Sequence, residues 1–381
     1  IENHRENLIV IIAGYTDEMN QFIKINPGLA SRFPLNIEFP DYTPDQLTQI
    51  TEIQVKAKGF IIANDVLPAL KEYYEGKQIP GKNDSGNGRL VRNTVEQAIR
   101  NQSIRIVEHT DLAVEALTVL TLEDFHLQPV QVQISALNEL DQIIGLEEVK
   151  NFVRTLSAQV EIEKMRKQLQ LPSIGGQSLH MIFKGNPGTG KTTVARILAK
   201  RLKELGVIKL DHVVETDRSG LVAGYVGQTA LKTREVLESA LGGVLFIDEA
   251  YALVGAHNDF GQEAIDTIVK FMDDHRDNLI VILAGYNEDM EEFLHSNVGL
   301  RSRFPNIIEF PDYSAEELVL ISRQFLTTKG FQISADVERK LHTIFTDGTE
   351  VNHAGNGRYA RNICEAAIRA HALRVSQVNH P

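Results

Sequence analysis

One cysteine, Cys364, is all the thiol this 381-residue chain carries. That excludes an intramolecular disulfide framework and a multi-cysteine zinc site, and it fits a reducing compartment. Cationic charge is also short. With 39 Lys and Arg against 51 Asp and Glu, the net charge is −12 and the pI about 5.5, which argues against a surface that holds nucleic acid by neutralising phosphates. No apolar run approaches the roughly 20 residues that cross a bilayer, and no signal-peptide pattern opens the chain. The longest runs, Leu8 to Ala13 and Leu279 to Ala284, have the length of buried parallel strands. The twelve histidines show no metal-ligand spacing, and no helix-turn-helix or zinc module is recognisable. The expectation is a cytoplasmic protein without a membrane or nucleic-acid partner. Because the chain opens at Ile1 in what reads as mid-element, further residues are expected upstream.

A long internal repeat is present. His4-Arg-Glu-Asn-Leu-Ile-Val-Ile-Ile-Ala-Gly-Tyr15 recurs as His275-Arg-Asp-Asn-Leu-Ile-Val-Ile-Leu-Ala-Gly-Tyr286, and Glu38-Phe-Pro-Asp-Tyr42 as Glu309-Phe-Pro-Asp-Tyr313. Gly86-Asn-Gly-Arg-Leu-Val-Arg-Asn93 likewise returns as Gly355-Asn-Gly-Arg-Tyr-Ala-Arg-Asn362. A period of about 270 residues is too long for a solenoid unit, so the repeated object is a domain. Residues 1–130 therefore read as the later part of a first copy (end of the core 1–40, helical lid 41–120, linker 121–138). Residues 136–381 read as a complete second copy, with core 136–311 and lid 312–381. In that copy strand-like runs at 179–184, 213–216, 243–247, 279–284 and 307–310 alternate with helical patterns at 191–205, 229–241 and 262–274. The alternation predicts an α/β fold, a parallel sheet with helices on both faces. After Pro311 the pattern is all-helical.

Gly185-Asn-Pro-Gly-Thr-Gly-Lys-Thr192 fits the phosphate-loop pattern G-x-x-x-x-G-K-[ST], with an apolar strand before it and a helix after it. The glycines let successive backbone N–H groups face a phosphate, and the following helix adds its positive end. Lys191 would meet the β and γ phosphates of a nucleotide, and the Thr192 hydroxyl would ligate magnesium. About 55 residues on, Gly243-Val-Leu-Phe-Ile-Asp-Glu249 places two carboxylates at the carboxyl end of a buried strand, the edge at which parallel sheets bind ligands. Asp248 is suited to holding magnesium through water and Glu249 to polarising the attacking water.

With these motifs and Gly355-Asn-Gly-Arg358 in its helical tail, the second copy resembles an AAA+ ATPase. Asp141 to Lys150, Gly220 to Thr229, Leu283 to Tyr286 and Gly299 to Pro305 narrow the likeness to the CbxX/CfqX branch, which includes red-type rubisco activase and the stage V sporulation protein K group. The resemblance implies a P-loop NTPase core with a helical lid and ATP and Mg2+ as cofactors. It also implies a homo-oligomer, expected as a hexameric ring. ATP contacts would fall on Gly185, Asn186, Pro187, Gly188, Thr189, Gly190, Lys191, Thr192 and Thr193, with Ile143, Ile144 and Gly145 lining the adenine pocket. Tyr225, Val226 and Gly227 match the loop that projects into the pore of such a ring and grips a polypeptide; a half-buried loop aromatic is the other reading of Tyr225. Asn287 falls near the sensor position after the fourth strand, or is a simple turn asparagine. Arg303 matches the arginine finger offered to a neighbour's nucleotide, with Arg301 a weaker match, and Arg358 matches the second sensor. Arg361 is expected on the lid surface or in its core contacts, and Cys364 as core filler.

Two expectations concern the first copy. In the family's sheet the fourth and fifth strands flank the first, so Leu8–Ala13 and Ile37–Phe39 would lack the strand between them and be badly packed or exposed. The lid at 41–120 should keep a small core, and Arg32 could serve a neighbour's site. For the whole chain the preferred function is an ATP-driven motor pulling on an unknown client protein. A nucleotide-gated scaffold with incidental hydrolysis is the alternative, and an enzyme acting on DNA fits the acidic balance less well.

Overall fold

A computed structural model of the chain describes residues 9–25, 28, 33, 35–78, 86–108, 117–128, 135–172, 178–225, 227–254, 260–351 and 355–378. They fall into two units, Ile1–Gln131 and Val132–Pro381.

The first unit runs α1 (Thr16–Ile25), α2 (Pro44–Ala57), β1 (Ile61–Ile62), α3 (Val66–Lys77), α4 (Asn87–Glu108) and β2 (Val119–Leu120). Helix α2 starts where its residues require it. The Thr43 hydroxyl accepts from the Gln46 amide, the Gln46 side chain accepts from the Thr43 amide, and Pro44 sits in the first turn where no donor is needed. Leu47, Val55, Leu70, Tyr74, Val91 and Val95 form the core, closed by a parallel pairing of Ile61 with Val119 and Ile62 with Leu120. Within the core, the Thr51 hydroxyl lies 2.6 Å from the Tyr74 hydroxyl. Residues 121–128, expected as linker, instead belong to this unit. Phe125 is buried in its core, and the buried Asp124 carboxylate accepts from Arg105 Nε at 2.8 Å and from the Thr121 amide at 2.7 Å.

Residues 9–15 form no strand. Ile9, Ile11, Leu35, Ile37 and Phe39 are all at least 74% exposed. Arg32 lies outside the described residues.

The second unit continues with α5 (Ala136–Asp141), α6 (Glu147–Gln168), β3 (Met181–Gly185), α7 (Lys191–Glu204), β4 (Val213–Thr216), α8 (Arg218–Leu221), α9 (Thr229–Ser239), β5 (Val244–Ile247), α10 (Phe260–Asp274), β6 (Ile280–Gly285), α11 (Asn287–Ser296), α12 (Val298–Arg303), β7 (Asn306–Phe310), α13 (Ala315–Thr328), α14 (Ala335–Val351) and α15 (Asn356–Val378). The five strands β3 to β7 form one parallel sheet in the order β4-β5-β6-β3-β7. Strands β3, β5 and β6 are buried at every position, as strands covered on both faces must be; Lys184, the one charge among them, is paired with Glu291. The core packs α7 through Val194, Leu198 and Leu202 onto Met181, Phe183, Phe246 and Ile282 of the sheet. Helices α13 to α15 follow β7 as a lid without strands among the described residues. Helix α13 opens on the same reciprocal cap as α2, between Ser314 and Glu317. Cys364 is buried in this unit.

Candidate nucleotide site

Crossover connections in a parallel sheet bring several strand ends and helix starts to the carboxyl edge, and a cavity of about 650 Å3 lies there. The loop between β3 and α7 supplies Pro187, Gly188 and Gly190 to its wall, and the first turn of α7 supplies Lys191, Thr192 and Thr193. Two backbone positions explain the glycines. Gly188 has φ of +77°, and a Cβ there would meet the Gly355 carbonyl oxygen at 2.3 Å; Gly190, with φ of +97°, caps α7. Lys191 donates to the carbonyls of Gly185 at 2.6 Å and Asn186 at 2.9 Å. Burial pushes its ammonium below the usual lysine range, an effect that the nearby Asp248 opposes.

Strand β5 delivers Asp248 and Glu249 to the same cavity. The Asp248 amide donates to the Thr216 carbonyl at 2.9 Å, extending the pairing with β4 by one bond. Glu249 then adopts φ of +47°, a left-handed conformation that costs a non-glycine residue on the order of 1–3 kcal/mol and recurs at functional sites. Beyond it Tyr251 is held up at about 12, mainly by burial and then by the Glu249 charge.

The remaining walls come from both ends of the unit. Ile143 and Ile144 line the cavity, as do Ile321, Phe325 and Arg358 of the lid. Gly185, the last residue of β3, and Asn186, Thr189 and Gly145 of the adjoining loops do not line the cavity; Gly145 carries the turn before α6 at φ of +65°. Two sequence expectations need correction here. Asn287 is exposed in the first turn of α11 and does not line the cavity, because β6 runs to Gly285 and gives the strand-end position to Gly285 and Tyr286. Arg361 does line it, while its guanidinium sits 5.7 Å from the Phe325 ring centre. One helical turn from Arg358, it shares that residue's face.

Arg303 lies at the opposite, amino edge of the sheet, just before β7. It is gripped by Asp273 through Nη2 at 2.7 Å and Nε at 3.2 Å, and Nη1 donates to the Gly299 carbonyl at 3.0 Å. The hydrogen-bonded pair raises the arginine and holds the Asp273 carboxyl below its usual range. Beside them His180 accepts from the Val281 amide at Nδ1, and burial lowers it to about 4. Arg301, on the same short helix, is exposed.

Tyr225 is 75% exposed, which excludes the half-buried reading. Its loop is tied at the base, where Lys232 Nζ donates to the Ser219 and Val222 carbonyls and the Ala223 amide donates to Thr229. Gly227 follows at φ of +78°, and Val226 lies outside the described residues. Among the described residues no group of three or more His, Cys, Asp or Glu is arranged to hold a metal alone. Thr192 and Asp248 are hard oxygen donors of the kind magnesium takes beside phosphate oxygens.

Sequence reasoning missed Gln142, Tyr286 and Tyr313 as cavity residues and gave no role to Asp312 or Asn356. The recurrence of Asp-Tyr and Gly-Asn-Gly-Arg in both copies was the signal available for the last two.

Comparison with known families finds the ATPase family associated with various cellular activities (AAA) over residues 181–312 and the AAA lid domain twice, over 43–133 and 314–381. Stage V sporulation protein K of Bacillus subtilis (strain 168) is 44% identical over 242 residues, 62% of this chain and 74% of that protein. The chloroplastic ribulose bisphosphate carboxylase/oxygenase activase of Cyanidioschyzon merolae (strain NIES-3377 / 10D) is 42% identical over 249 residues, 64% of this chain and 85% of that one. The ESX-3 secretion system protein EccA3 of Mycobacterium tuberculosis (strain ATCC 25618 / H37Rv) is 39% identical over 313 residues, 75% of this chain but only 49% of EccA3, so this chain spans about half of its length.

Proposed function

This chain belongs to the AAA ATPase family, in its CbxX/CfqX branch, and we propose that its second unit binds MgATP and hydrolyses it to remodel a protein client. One observation carries the reading: Lys191, Thr192, Asp248, Glu249 and Arg358, from three separate segments, line a single cavity at the carboxyl edge of the sheet. Bound magnesium would offset charge on the β and γ phosphate oxygens, with Thr192 and Asp248 holding it. Lys191 and the loop amides bind the phosphates, Glu249 orients the attacking water, and Ile143 and Ile144 flank the base.

Arg303 sits at the edge of the sheet away from this cavity, so the only triphosphate it could serve is a neighbouring subunit's. Such a finger supplied in trans contributes about 10³ to 10⁵ in rate. We therefore read the active form as a ring of copies, hexameric as in the family, with Tyr225 on the exposed loop gripping the client. One relative bears the name of an activase of another enzyme, which fits a protein as client. No described helix is long and apolar enough to cross a membrane, and the cytoplasm is the compartment we assign.

Steady-state ATP hydrolysis tests the reading. Glu249→Gln should keep nucleotide binding and lose at least about 10²-fold in turnover. Tyr225→Ala should hydrolyse at the wild-type rate and lose remodelling. Undiminished turnover in the Glu249 variant would refute the assignment.

A further inference from the structure

The lid grips the phosphate loop by its carbonyls. Three consecutive loop carbonyls each receive a bond from the other side of the cavity: Pro187 from Asn356 Nδ2 at 3.4 Å, Gly188 from the Gly357 amide at 3.0 Å and Thr189 from the Tyr313 hydroxyl at 3.2 Å. A trans peptide is planar, so a carbonyl held in one direction turns the next residue's N–H the opposite way. Fixing these three oxygens therefore aims the amides of Gly188, Thr189 and Gly190, the groups an anion-binding loop uses.

A carboxylate joins the two sides. Asp312 accepts from Asn186 Nδ2 at 2.9 Å on the loop side and from Asn356 Nδ2 at 2.8 Å on the lid side. Asn356, only 2% exposed, also accepts from the Tyr313 amide at 2.9 Å through Oδ1. Its φ of +45° is a conformation that asparagine tolerates better than most residues.

The first unit contains the same triangle. Asn87 donates to Asp41 at 2.6 Å and accepts from the Tyr42 amide at 2.9 Å, again with positive φ. The triangle thus forms from lid and hinge residues alone, and in the second unit its spare hydrogen-bonding capacity reaches the loop.

We propose that Asp312 and Asn356 are positioning residues that clasp the start of the lid to the phosphate loop, so that the aim of the loop amides and the placement of Arg358 are set together. This rests on the nucleotide site assigned above. It assigns the asparagine of Gly-Asn-Gly-Arg and the aspartate of Phe-Pro-Asp-Tyr to phosphate binding without direct contact with the nucleotide.

Equilibrium titration of the full chain with a fluorescent ATP analogue and magnesium tests it. Asn356→Ala and Asn186→Ala should each weaken binding by about tenfold, the scale of one lost hydrogen bond to a charged group. Because the Asn186 bond reaches the lid only through Asp312 and Asn356, the double variant should bind little worse than Asn356→Ala alone. Asp312→Asn, which keeps part of the acceptor capacity, should fall between wild type and Asp312→Ala. Asn87→Ala, in the other triangle, should bind as wild type. Wild-type affinity in both single variants, or a double variant weakened by the full product of the two effects, overturns the clasp while leaving the site reading intact. Wild-type protein with no affinity for the analogue would overturn the site reading and the clasp with it.

Discussion

Ile9 to Tyr15 and Ile280 to Tyr286 share six of seven residues, yet one is an exposed irregular segment and the other the buried strand β6 with the turn that follows it. The difference lies in neighbours. β6 is paired with β3 through Met181–Ile282 and with β5 through Phe246–Ile282, so its backbone groups are satisfied and both faces are covered. The 381 residues hold one counterpart of β3, and no described strand pairs with residues 9–15. High β-propensity is a fitness for a pleated, covered surface rather than an intrinsic backbone preference. The two lids teach the converse: each carries its own caps and core, and both fold.

Hydrogen exchange should show the contrast at its largest. Amides of 281–284 should be protected by a factor of about 10⁴ or more, near the stability of the whole unit, and those of 10–13 hardly at all. Equal protection of the two segments would end the comparison. Equivalent substitutions sharpen it: Ile282→Ala, at a fully buried site, should cost about 2–5 kcal/mol in denaturant unfolding. Ile11→Ala, at a site 86% exposed, should stay within about 0.5 kcal/mol.

A third difference is pH-dependent. His180, buried behind β6 and lowered to about 4, is neutral in the folded unit, and an unfolded histidine binds its proton nearer 6.5. Its contribution is therefore fully present above about pH 6.5 and lost as pH falls toward 4, up to about 3 kcal/mol. His180→Asn should flatten the pH dependence of the second unit's unfolding over that window, and an unchanged slope would contradict the burial argument.

The smallest effect is inside the lids. Thr51 pairs its hydroxyl with Tyr74, whereas the equivalent Ser322 has a buried hydroxyl without a partner and Phe345 stands at the tyrosine's place. Thr51→Val removes one of the two hydroxyls, Thr51 and Thr94, that bond the buried Tyr74 phenol and should cost about 0.5–1.5 kcal/mol, and Ser322→Ala should be close to neutral. Thermal melts of the two variants would separate these outcomes.

What could be read from the sequence followed from contiguity. Gly185–Thr192 and Asp248–Glu249 each carry their chemistry within a few residues, and the apolar runs that became β3, β5 and β6 announced a doubly covered sheet. Illegible were features that only the fold brings together. Asp312 meets Asn186 across 126 positions, and Arg361 reaches the cavity because α15 turns the face it shares with Arg358 inward. For Asn287 the sequence leaves a sensor and a turn asparagine equally open, and the length of β6, which ends at Gly285, puts the side chain in solvent. Residues 121–128 read as linker because their polar composition conceals Asp124, which is buried against Arg105 of α4.

Calorimetric titration of MgATP into the chain tests the central claim most directly. The account predicts one saturable site per chain, abolished by Lys191→Ala while the variant stays folded. Wild-type protein that takes up no nucleotide, or a lysine variant that binds as well as wild type, would contradict it.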